Sequence, residues 1–423
     1  MTPAVKENLT SSLQGKKILL GITGSIAAFK TCDLIRHLRE CGAHVRVVLT
    51  QGAENFVTKT TLETLSGEPV LTGFWNHQNK ANGTSKDSSA FGTHHIETAR
   101  WADLFLVAPA TANFIAQAAH GLAADLLTTE LLAFQGPVLI VPAMNPAMYA
   151  HPAVQQNIQR LLSYGIRLLG PTTGKTACGE EGLGRMIEPE LILELIAYSF
   201  FKKPNGRTAL ITLGPTRSAI DPVRYLSNRS SGLMGASLCW AALQAGYRVK
   251  AICGPSPAIL PTLQDLDVIQ VQQVQTAREM AAATLEAWPS ADVYMGAAAV
   301  LDWEIKNPSA EKLKKETGNP HLEFEKNPDI LALVARSKRP DQFVLGFAAE
   351  TENALSNARL KLKQKQCDAL FVNDVSQATS GFESDFNSGW WLDAGEEIIP
   401  YGIRTKSQLA RDIISKLPKT DNT

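Results

Sequence analysis

Two stretches of the chain begin with an apolar strand that ends near glycine and leads into a helix. The first is residues 16–30, KKILLGITGSIAAFK, in which Gly21 and Gly24 separate the strand from the helix. The second is residues 206–235, in which the strand ALITL precedes a Gly-Pro turn, a polar loop and a glycine-bearing helix start. Glycine permits a tight turn and close ligand approach, and the N–H groups of a helix start favour an anion. Two such starts, about two hundred residues apart, predict two ligand-binding α/β domains.

Further apolar segments predict alternating strands and helices along both halves. In the first half we expect a helix near residues 25–41 and strands over residues 44–49, 103–110 and 138–142. In the second half, FVLGFAAET predicts a strand and residues 352–366 predict a helix. The predicted fold class is α/β, with two Rossmann-like, doubly wound domains in tandem.

Shifts in composition divide the chain into five parts. The segment YSFFKKPNGR follows an amphipathic helix and contains basic residues, Pro and Gly, which is typical of a linker. The predicted parts are a flexible N-terminal tail over residues 1–15, a first domain over 16–197, a linker over 198–206, a second domain over 207–418 and a tail over 419–423.

The composition is that of a globular protein with enough apolar residues for two cores. Of 423 residues, 44% are apolar and 19% are charged. Lys plus Arg and Asp plus Glu number 41 each, so no global basic field indicates nucleic acid or an anionic membrane. The six cysteines form no C-x-x-C pair, which favours a reducing, cytoplasmic setting. No signal-peptide-like or membrane-spanning apolar segment is visible, so we expect no membrane insertion.

Polar residues follow the apolar strands of the first half. Thr111, Asn113 and Asn145 stand at predicted carboxyl ends of strands, where open α/β sheets bind ligands. They therefore predict the rim of a pocket. The amide of Asn145 either satisfies its own turn or holds a substrate carboxylate.

The first glycine turn favours a mononucleotide over a dinucleotide. Thr50 stands at the end of the second strand, where a Rossmann NAD site has an acidic residue. This position favours a mononucleotide phosphate near Gly24 and Ser25. The alternative is that these glycines form only a tight turn between strand and helix.

His95 and Cys178 are the candidate reactive side chains of the first half. His95 follows a polar stretch and begins a predicted helix, so it is either a solvated histidine or a general base. Cys178 lies in a polar, Gly-rich segment with Arg185, and it is either a buried, inert thiol or a reactive one in a flap over a ligand. Residues 174–176, GKT, resemble the end of a P-loop, but the preceding glycine spacing does not fit.

The second half contains side chains that are candidates for binding a nucleoside triphosphate. Asp302 follows a small-residue strand and is placed to face a metal-bound phosphate, while Lys312 belongs to a charge run that is usually a solvated face. Small residues beside Phe347 leave room for a flat base. Lys361 and Lys365 are four residues apart and share one helix face, which suits a polyphosphate accompanied by Mg²⁺.

The first half resembles the homo-oligomeric flavin-containing cysteine decarboxylases over about residues 16–195. The resemblance rests on GITGSIAAFK, on His95-Ile96-Glu97, on PATAN at 109–113, on PAMNPAM at 142–148 and on ACGEEGLGRM at 177–186. It implies a flavodoxin-like domain that binds FMN and acts on 4'-phosphopantothenoylcysteine. The substrate thiol would be oxidised to a thioaldehyde with the flavin as electron acceptor, carbon dioxide would leave, and a hydride would then return.

The same resemblance implies roles for individual residues. His95 would assist proton removal, Asn145 would orient the carboxylate and Cys178 would protonate the enethiol. The implied cofactor-binding residues are Gly24, Ser25, Thr50, Ala108, Thr111 and Asn113, and the implied substrate-binding residues are Arg185 and Met186.

The second half resembles phosphopantothenate-cysteine ligases over about residues 206–417. The resemblance rests on GPTR at 214–217, DPVRYLSNRSSGLMG at 221–235, AAAVLDW at 297–303, KLKK at 312–315, KNPDI, GFAAET and NDVS at 373–376. It implies that CTP activates 4'-phosphopantothenate as an acyl-cytidylate, which cysteine attacks. Asn228 would hold the acyl intermediate and Lys312 would stabilise charge. The implied substrate- or nucleotide-binding residues are Arg224, Asp302, Lys326, Asn327, Pro328, Asp329, Phe347, Lys361 and Lys365.

The whole chain is thus similar to the bacterial bifunctional enzymes of coenzyme A synthesis. The resemblance implies Mg²⁺ held mainly through the CTP phosphates and a homo-oligomer in which trimers assemble into a dodecamer. Two alternatives stay open. One is a flavin or nicotinamide oxidoreductase with a regulatory nucleotide-binding domain, and the other is a flavoprotein binding module without catalysis.

Overall fold

The computed structural model describes residues 3–73, 94–175, 179–256, 260, 267–314, 321–350, 354–374, 384–395 and 397–418. The chain forms two compact units. The first contains Leu9–Phe200, and the second contains Phe201–Thr423 together with Thr2–Asn8. The division after Phe200 falls within the predicted linker.

A five-stranded parallel sheet forms the centre of the first unit, in the order β2-β1-β3-β4-β5. These strands are β1 (Lys17–Ile22), β2 (His44–Leu49), β3 (Leu104–Ala110), β4 (Val138–Pro142) and β5 (Arg167–Leu168). All seven residues of β3 are buried. Continuous apolar strands are expected here because helices cover both faces of a parallel sheet.

Helices and a hairpin surround this sheet in the described part of the first unit. The helices are α1 (Pro3–Leu13, whose first turns belong to the second unit), α2 (Lys30–Glu40), α3 (Lys59–Ser66), α4 (His94–Trp101), α5 (Ala112–Ala119), α6 (Leu126–Ala133), α7 (Pro146–Ala150), α8 (Pro152–Ser163) and α9 (Pro189–Tyr198). The strands β6 (Thr172–Lys175) and β7 (Glu181–Arg185) pair as an antiparallel hairpin. Gly174 and Lys175 are therefore strand residues, which confirms that GKT is not a P-loop.

The second unit is built on an eight-stranded sheet in the order β12-β11-β8-β13-β16-β17-β18-β19. The strands of this unit are β8 (Thr208–Leu213), β9 (Arg217–Ala219), β10 (Tyr225–Ser227), β11 (Arg248–Cys253), β12 (Ile269–Gln273), β13 (Val293–Gly296), β14 (Trp303–Ile305), β15 (Phe324–Lys326), β16 (Phe343–Glu350), β17 (Ala369–Asp374), β18 (Phe386–Asp393) and β19 (Ile398–Thr405). The sheet is parallel through β17, and β18 and β19 add an antiparallel edge.

Besides the first turns of α1, the described part of the second unit contains the helices α10 (Leu233–Gln244), α11 (Ala277–Ala287), α12 (Ile330–Arg336), α13 (Ala354–Lys365) and α14 (Lys406–Lys416). A buried cluster that includes Trp288, Tyr294 and Leu370 forms its core. None of the described helices combines the length and apolar character needed to cross a lipid bilayer. The predicted α/β class with two domains in tandem is confirmed.

The prediction of a flexible tail over residues 1–15 is wrong for residues 3–13, which form α1. Leu9 and Leu13 lie one helical turn apart and are 1% and 0% exposed. Two buried leucines on one face give this segment an apolar contact that a loose tail lacks.

The first turns of α1 are also held by hydrogen bonds within the second unit. The hydroxyl of Thr405 donates to Glu7 Oε1 at 2.6 Å, and the side-chain amide of Gln244 donates to the carbonyl of Asn8 at 2.9 Å. The polar sequence of this segment therefore reflects its hydrogen bonding rather than disorder.

Candidate active sites

In the first unit, a cavity of about 650 Å³ opens at the carboxyl ends of β1, β2 and β3. Because β1 lies between β2 and β3, this is the point where strand order reverses, and such points form ligand crevices. Four predicted cofactor-binding residues line the cavity: Gly24, Thr50, Thr111 and Asn113. Other lining residues were not selected from the sequence as site residues: Thr23, Gln51, Gly52, Thr72, Gln117, Asp125 and Met148.

Thr23 joins two strand ends at this cavity. Its hydroxyl donates to the carbonyl of Pro109 at 2.8 Å and accepts from the N–H of Thr111 at 3.0 Å. Thr111 in turn caps α5, because its hydroxyl accepts from the N–H of Phe114 at 3.4 Å. The helix start at the cavity is thus held to the end of β1.

Gly24, at the first predicted turn, lies where the structure leaves no room for a side chain. A Cβ added to Gly24 would lie 2.9 Å from the carbonyl carbon of Gly52, so the loops after β1 and β2 meet backbone to backbone. Ser25 follows and caps a short 3₁₀ turn, its hydroxyl accepting from the N–H of Ala27 at 3.3 Å. Ala108 is 0% exposed and is absent from the described lining, so its contact with a cofactor stays a prediction.

The lining of this cavity includes no Lys or Arg among the described residues. Its acidic residue, Asp125, is engaged in capping α6, because Asp125 Oδ1 accepts from the N–H of Thr128 at 2.8 Å. An anion here would bind to N–H and hydroxyl donors at helix starts, as expected for a phosphate cradle without fixed cations.

His95 lies in the first turn of α4, as predicted, and its side chain is half-buried. Helix α4 packs against α6, whose capping residue Asp125 lines the cavity. His95 itself is absent from the described lining. Cys178 lies outside the described residues.

Asn145 caps α7 and also contacts a carboxylate. Its Oδ1 accepts from the N–H of Ala147 at 2.8 Å, and its Nδ2 donates to Glu180 Oε2 at 2.6 Å. The N–H of Met144 donates to the carbonyl of Gly184 at 3.0 Å, so the β6-β7 hairpin packs on this turn. The first interpretation of Asn145 is thus observed, because its side chain satisfies its own turn. Its amide also binds a protein carboxylate, and its contact with a substrate carboxylate stays a prediction.

Arg185 and Met186 follow the same hairpin. Arg185 is exposed, and its Nη2 pairs with Glu188 Oε1 at 2.6 Å. The Met186 side chain is 1% exposed, while its carbonyl accepts from Lys30 Nζ at 3.3 Å. Neither residue lines a cavity that the structure describes, so their substrate contacts stay predictions.

Glu130 on α6 is a buried carboxyl that sequence reasoning missed. It is 0% exposed, and both carboxylate oxygens lack a hydrogen-bond partner within the described part of the chain. Burial, followed by the nearby Asp125 carboxylate, raises the pKa of Glu130 to about 8. Glu130 is therefore largely protonated at neutral pH.

In the second unit, two adjoining cavities of about 450 and 700 Å³ lie near the carboxyl ends of β8, β13 and β16. We call the smaller the loop cavity, because residues 228–235 line it, and the larger the Asn327 cavity. Asp302, Phe347 and Lys361 line both, so the two are chambers of one site. Predicted residues found here are Asn228 in the loop cavity and Lys326, Asn327, Pro328, Asp329 and Lys365 in the Asn327 cavity.

The loop cavity is shaped by the start of α10. Gly232 has φ 72°, a left-handed conformation that favours glycine, and it caps the helix. A Cβ on Gly235 would lie 2.3 Å from Leu213 Cβ, so α10 approaches β8 too closely for any side chain there. Asn228 Nδ2 donates to the carbonyl of Val300 at 3.0 Å, which connects the polar loop to the segment after β13.

The Asn327 cavity contains an ion pair between two predicted nucleotide-binding residues. Lys365 Nζ contacts Asp329 Oδ2, and Asp329 Oδ1 caps α12 by accepting from the N–H of Ala332 at 3.1 Å. Lys326 Nζ lies 5.5 Å from the centre of the Trp303 ring. A nucleotide phosphate would compete with Asp329 for Lys365.

Lys312 and Arg224 line neither described cavity. Lys312 is exposed. Arg224 Nε donates to the buried Asp221 carboxylate at 2.9 Å, and its Nη2 donates to the carbonyl of Leu313 at 3.0 Å. The Arg224 guanidinium lowers the pKa of Asp221. Arg224 therefore holds the segment next to Lys312, and its substrate contact stays a prediction.

Three further residues also line the loop cavity: Asn373 from β17, Asn387 from the antiparallel edge and Lys406 from the last helix. Asn387 Nδ2 donates to Asn373 Oδ1 at 2.9 Å. Lys406 is the first residue of α14 and is 4% exposed. No spacing in the sequence separates Lys406 from the other 40 basic residues, and so it was missed.

Comparison with known proteins identifies both units. A flavoprotein family model matches residues 6–201, and the model of the DNA/pantothenate metabolism flavoprotein C-terminal domain matches residues 204–420. The coenzyme A biosynthesis bifunctional protein CoaBC of Vibrio vulnificus (strain YJ016) is 42% identical over 410 residues, covering 96% of this chain and 98% of that protein. The chain belongs to the CoaBC family.

Other CoaBC proteins match at similar levels. The protein of Escherichia coli (strain K12) is 42% identical over 92% of this chain and 94% of its own, and that of Bacillus subtilis (strain 168) is 40% identical over 96% and 97%. A crystal structure of the C-terminal domain of a CoaBC is 31% identical, with a TM-score of 0.42, and covers 51% of this chain and 95% of that one.

The protein is thus a bifunctional enzyme of coenzyme A biosynthesis, in which a flavoprotein decarboxylase domain precedes a ligase domain. The predicted family and pair of activities are confirmed. The alternatives of a flavin or nicotinamide oxidoreductase with a regulatory nucleotide-binding domain and of a binding module without catalysis do not fit this family.

Proposed function

We propose that the second unit joins 4'-phosphopantothenate to cysteine with CTP and Mg²⁺, and that the first unit uses FMN to decarboxylate the product, 4'-phosphopantothenoylcysteine, to 4'-phosphopantetheine. The observation that carries this proposal is the presence of a separate cavity at the strand-order reversal of each sheet. The product of the ligase is the substrate of the decarboxylase, so both steps belong on one chain.

The residues of the first cavity fit FMN. The close contact between Gly24 and Gly52 leaves no side chain at the turn, and helix starts at Ser25 and Thr111 offer neutral donors to a phosphate. Val48, Leu49 and Phe114 supply apolar lining for a flat ring system. The flavin, when bound, supplies the two-electron oxidation of the substrate thiol and its later reversal.

The chain's own residues would orient the substrate and move protons. His95 takes the proton lost during thiol oxidation, and Asn145 holds the carboxylate that leaves as carbon dioxide. The bond from Asn145 Nδ2 to the Glu180 carboxylate supports this role, because the same donor suits a substrate carboxylate. Cys178 returns a proton to the enethiol during reduction.

The second unit would activate a carboxylate by nucleotidyl transfer. The phosphopantothenate carboxylate attacks the α-phosphate of CTP, pyrophosphate leaves, and the cysteine amine then displaces CMP from the acyl carbon. Phe347 lies against the base, Lys361 and Lys365 bind phosphates, Asn228 holds the acyl-cytidylate and Lys312 stabilises charge during transfer. Lining of both chambers by Asp302 and Lys361 supports one continuous site for this reaction.

We also propose that the protein is a cytoplasmic homo-oligomer. Leu122, Leu132 and Tyr164 are 54%, 56% and 62% exposed, and Leu132 and Tyr164 line an open cavity of about 590 Å³ on the first unit. Such an apolar surface favours a protein contact.

The test is a coupled assay on the full chain. Protein with bound flavin is incubated with 4'-phosphopantothenate, cysteine, CTP and Mg²⁺, while pyrophosphate and carbon dioxide are followed. We expect equal amounts of both products without added NAD(P), and a much lower rate when ATP replaces CTP.

A matched variant separates the two activities. His95→Asn is expected to release pyrophosphate at the normal rate and no carbon dioxide. Pyrophosphate without carbon dioxide from the unaltered protein would remove the decarboxylase half of the proposal, and carbon dioxide release by His95→Asn would remove the role of His95.

A further inference from the structure

The last helix of the second unit begins at the loop cavity. Lys406, its first residue, lines this cavity together with the polar loop at residues 228–235. The side chain is 4% exposed, although lysine is among the residues least often buried. Removing a lysine's charge from water is costly unless acceptors or an opposite charge compensate it.

The position of Lys406 is fixed by its neighbours. The Thr405 hydroxyl caps α14 by accepting from the N–H of Gln408 at 3.2 Å, and the N–H of Lys406 donates to the carbonyl of Asp385 at 2.9 Å. Leu409 and Ile413 on the same helix are 0% exposed. The helix start therefore presents Lys406 from a rigid support rather than from a mobile loop.

The charges that line the loop cavity suit an anion. Among the described lining residues, Arg229, Lys361 and Lys406 are basic and Asp302 is the acidic one. The start of α10 adds N–H groups to the lining, and α10 itself, LMGASLCWAALQ, contains no acidic or basic residue. A phosphate group satisfies this combination of cations and N–H donors.

Burial also alters the titration of this amine. It lowers the pKa of Lys406 to about 8, while the Asp385 carboxylate acts in the opposite direction. The amine is still mostly charged at neutral pH, and a bound phosphate would stabilise that charge further.

We propose that Lys406 is a phosphate-binding residue of the loop cavity, donating from Nζ to a phosphoryl oxygen of a ligase substrate. This inference rests on the proposed ligase function. Two substrates offer this chemistry: the triphosphate of CTP and the phosphate ester of 4'-phosphopantothenate. Kinetic measurements distinguish the two sources.

The experiment compares Lys406→Met, Lys406→Arg and the control Lys416→Met, which changes an exposed lysine on the same helix. Pyrophosphate release is measured while CTP and 4'-phosphopantothenate are varied in turn. We expect Lys406→Met to raise one KM by about 10- to 100-fold, the range for loss of a charge-assisted hydrogen bond. Lys406→Arg should recover most of the affinity, and Lys416→Met should behave as the unaltered protein. A rise in the KM for CTP assigns the triphosphate, and a rise in the other KM assigns the phosphate ester.

Calorimetric titration with pyrophosphate and with inorganic phosphate provides a second measurement that needs no catalysis. Loss of binding of either ion in Lys406→Met, with binding retained in Lys406→Arg, supports the assignment even if the enzyme does not use CTP. An enzyme that does not use CTP would refute the proposed function alone. If Lys406→Met fails to fold, Lys406→Gln replaces it in both measurements. Unchanged KM values and unchanged ion binding in a folded Lys406→Met or Lys406→Gln protein overturn the inference.

Discussion

The close approach of α10 to β8 makes Gly235 a sensitive test of the second unit. A Cβ at this position would lie 2.3 Å from Leu213 Cβ and 3.3 Å from Leu213 Cα. Carbon atoms in contact lie about 3.5–4.0 Å apart, so Gly235→Ala requires a displacement of about 1.2–1.7 Å. The atoms of Leu213 involved cannot rotate away, because they belong to or adjoin its backbone.

Two opposing effects determine how much Gly235→Ala lowers the free energy of unfolding. Overpacking of this kind destabilises by about 1–3 kcal/mol, and the upper end applies because the helix itself must move. The better helix propensity of alanine offsets about 1 kcal/mol. The net loss is about 2 kcal/mol, which corresponds to a fall in Tm of about 4–8 °C for a unit of this size.

The same displacement should weaken ligand binding. Leu233, Met234 and Gly235 line the loop cavity, so a shift of more than about 1 Å lengthens hydrogen bonds from the helix start beyond their effective range. We expect the KM for CTP to rise at least about tenfold. Gly402→Ala is the matched control, because a Cβ there has no atom within 4 Å.

Differential scanning calorimetry of the full chain measures the stability, and pyrophosphate release measures the KM. Only the transition of the second unit should move, while flavin retention by the first unit should stay normal. A Gly235→Ala protein with the Tm and KM of Gly402→Ala would refute the contact between α10 and β8.

Three further predictions concern other parts of the molecule. Gly24→Ala forces a Cβ within 2.9 Å of the Gly52 carbonyl carbon, so purified protein should carry at most about a tenth of the normal flavin absorbance; full absorbance would contradict this contact. Because burial raises the pKa of Glu130 from 4.5 to about 8, the folded state binds more protons than the unfolded state between these values, and stability should fall as pH rises through this window. Glu130→Gln should remove this dependence of the Tm of the first unit on pH. If the Tm of Glu130→Gln falls with pH as steeply as that of the unaltered protein, the dependence does not come from Glu130. Arg224→Gln frees the carbonyl of Leu313, so trypsin should cleave the neighbouring lysines several-fold faster, and an unchanged cleavage rate would count against this bond.

The strands and the glycine turns were predictable because each depends on local sequence. The strand over residues 44–49 was placed correctly from its apolar run, and the helix containing His95 from its position before DLFLVAPA. Because open α/β sheets bind ligands at the carboxyl ends of their strands, Thr111 and Asn113 could be predicted to line one cavity with Gly24. Parallel sheets bring such strand ends together whatever the details of packing.

Other features depend on contacts between distant residues and could not be predicted. Lys406 enters the loop cavity only because the antiparallel edge returns the chain to that end of the sheet. Glu130 interrupts an apolar helix, yet nothing in LLTTELLA shows that its carboxyl is buried. The α1 segment is rich in Ser and Thr, so its buried leucines were outweighed by its polar composition.

The hydrogen bonds of Glu7 and Asn8 within the second unit have a consequence for protein synthesis. A ribosome makes these residues first and their partners, Gln244 and Thr405, much later. The first unit can fold while translation continues, but the opening turns of α1 must wait for the C-terminal part to emerge. A gene fragment that starts at the linker would therefore encode a ligase unit without its own first segment.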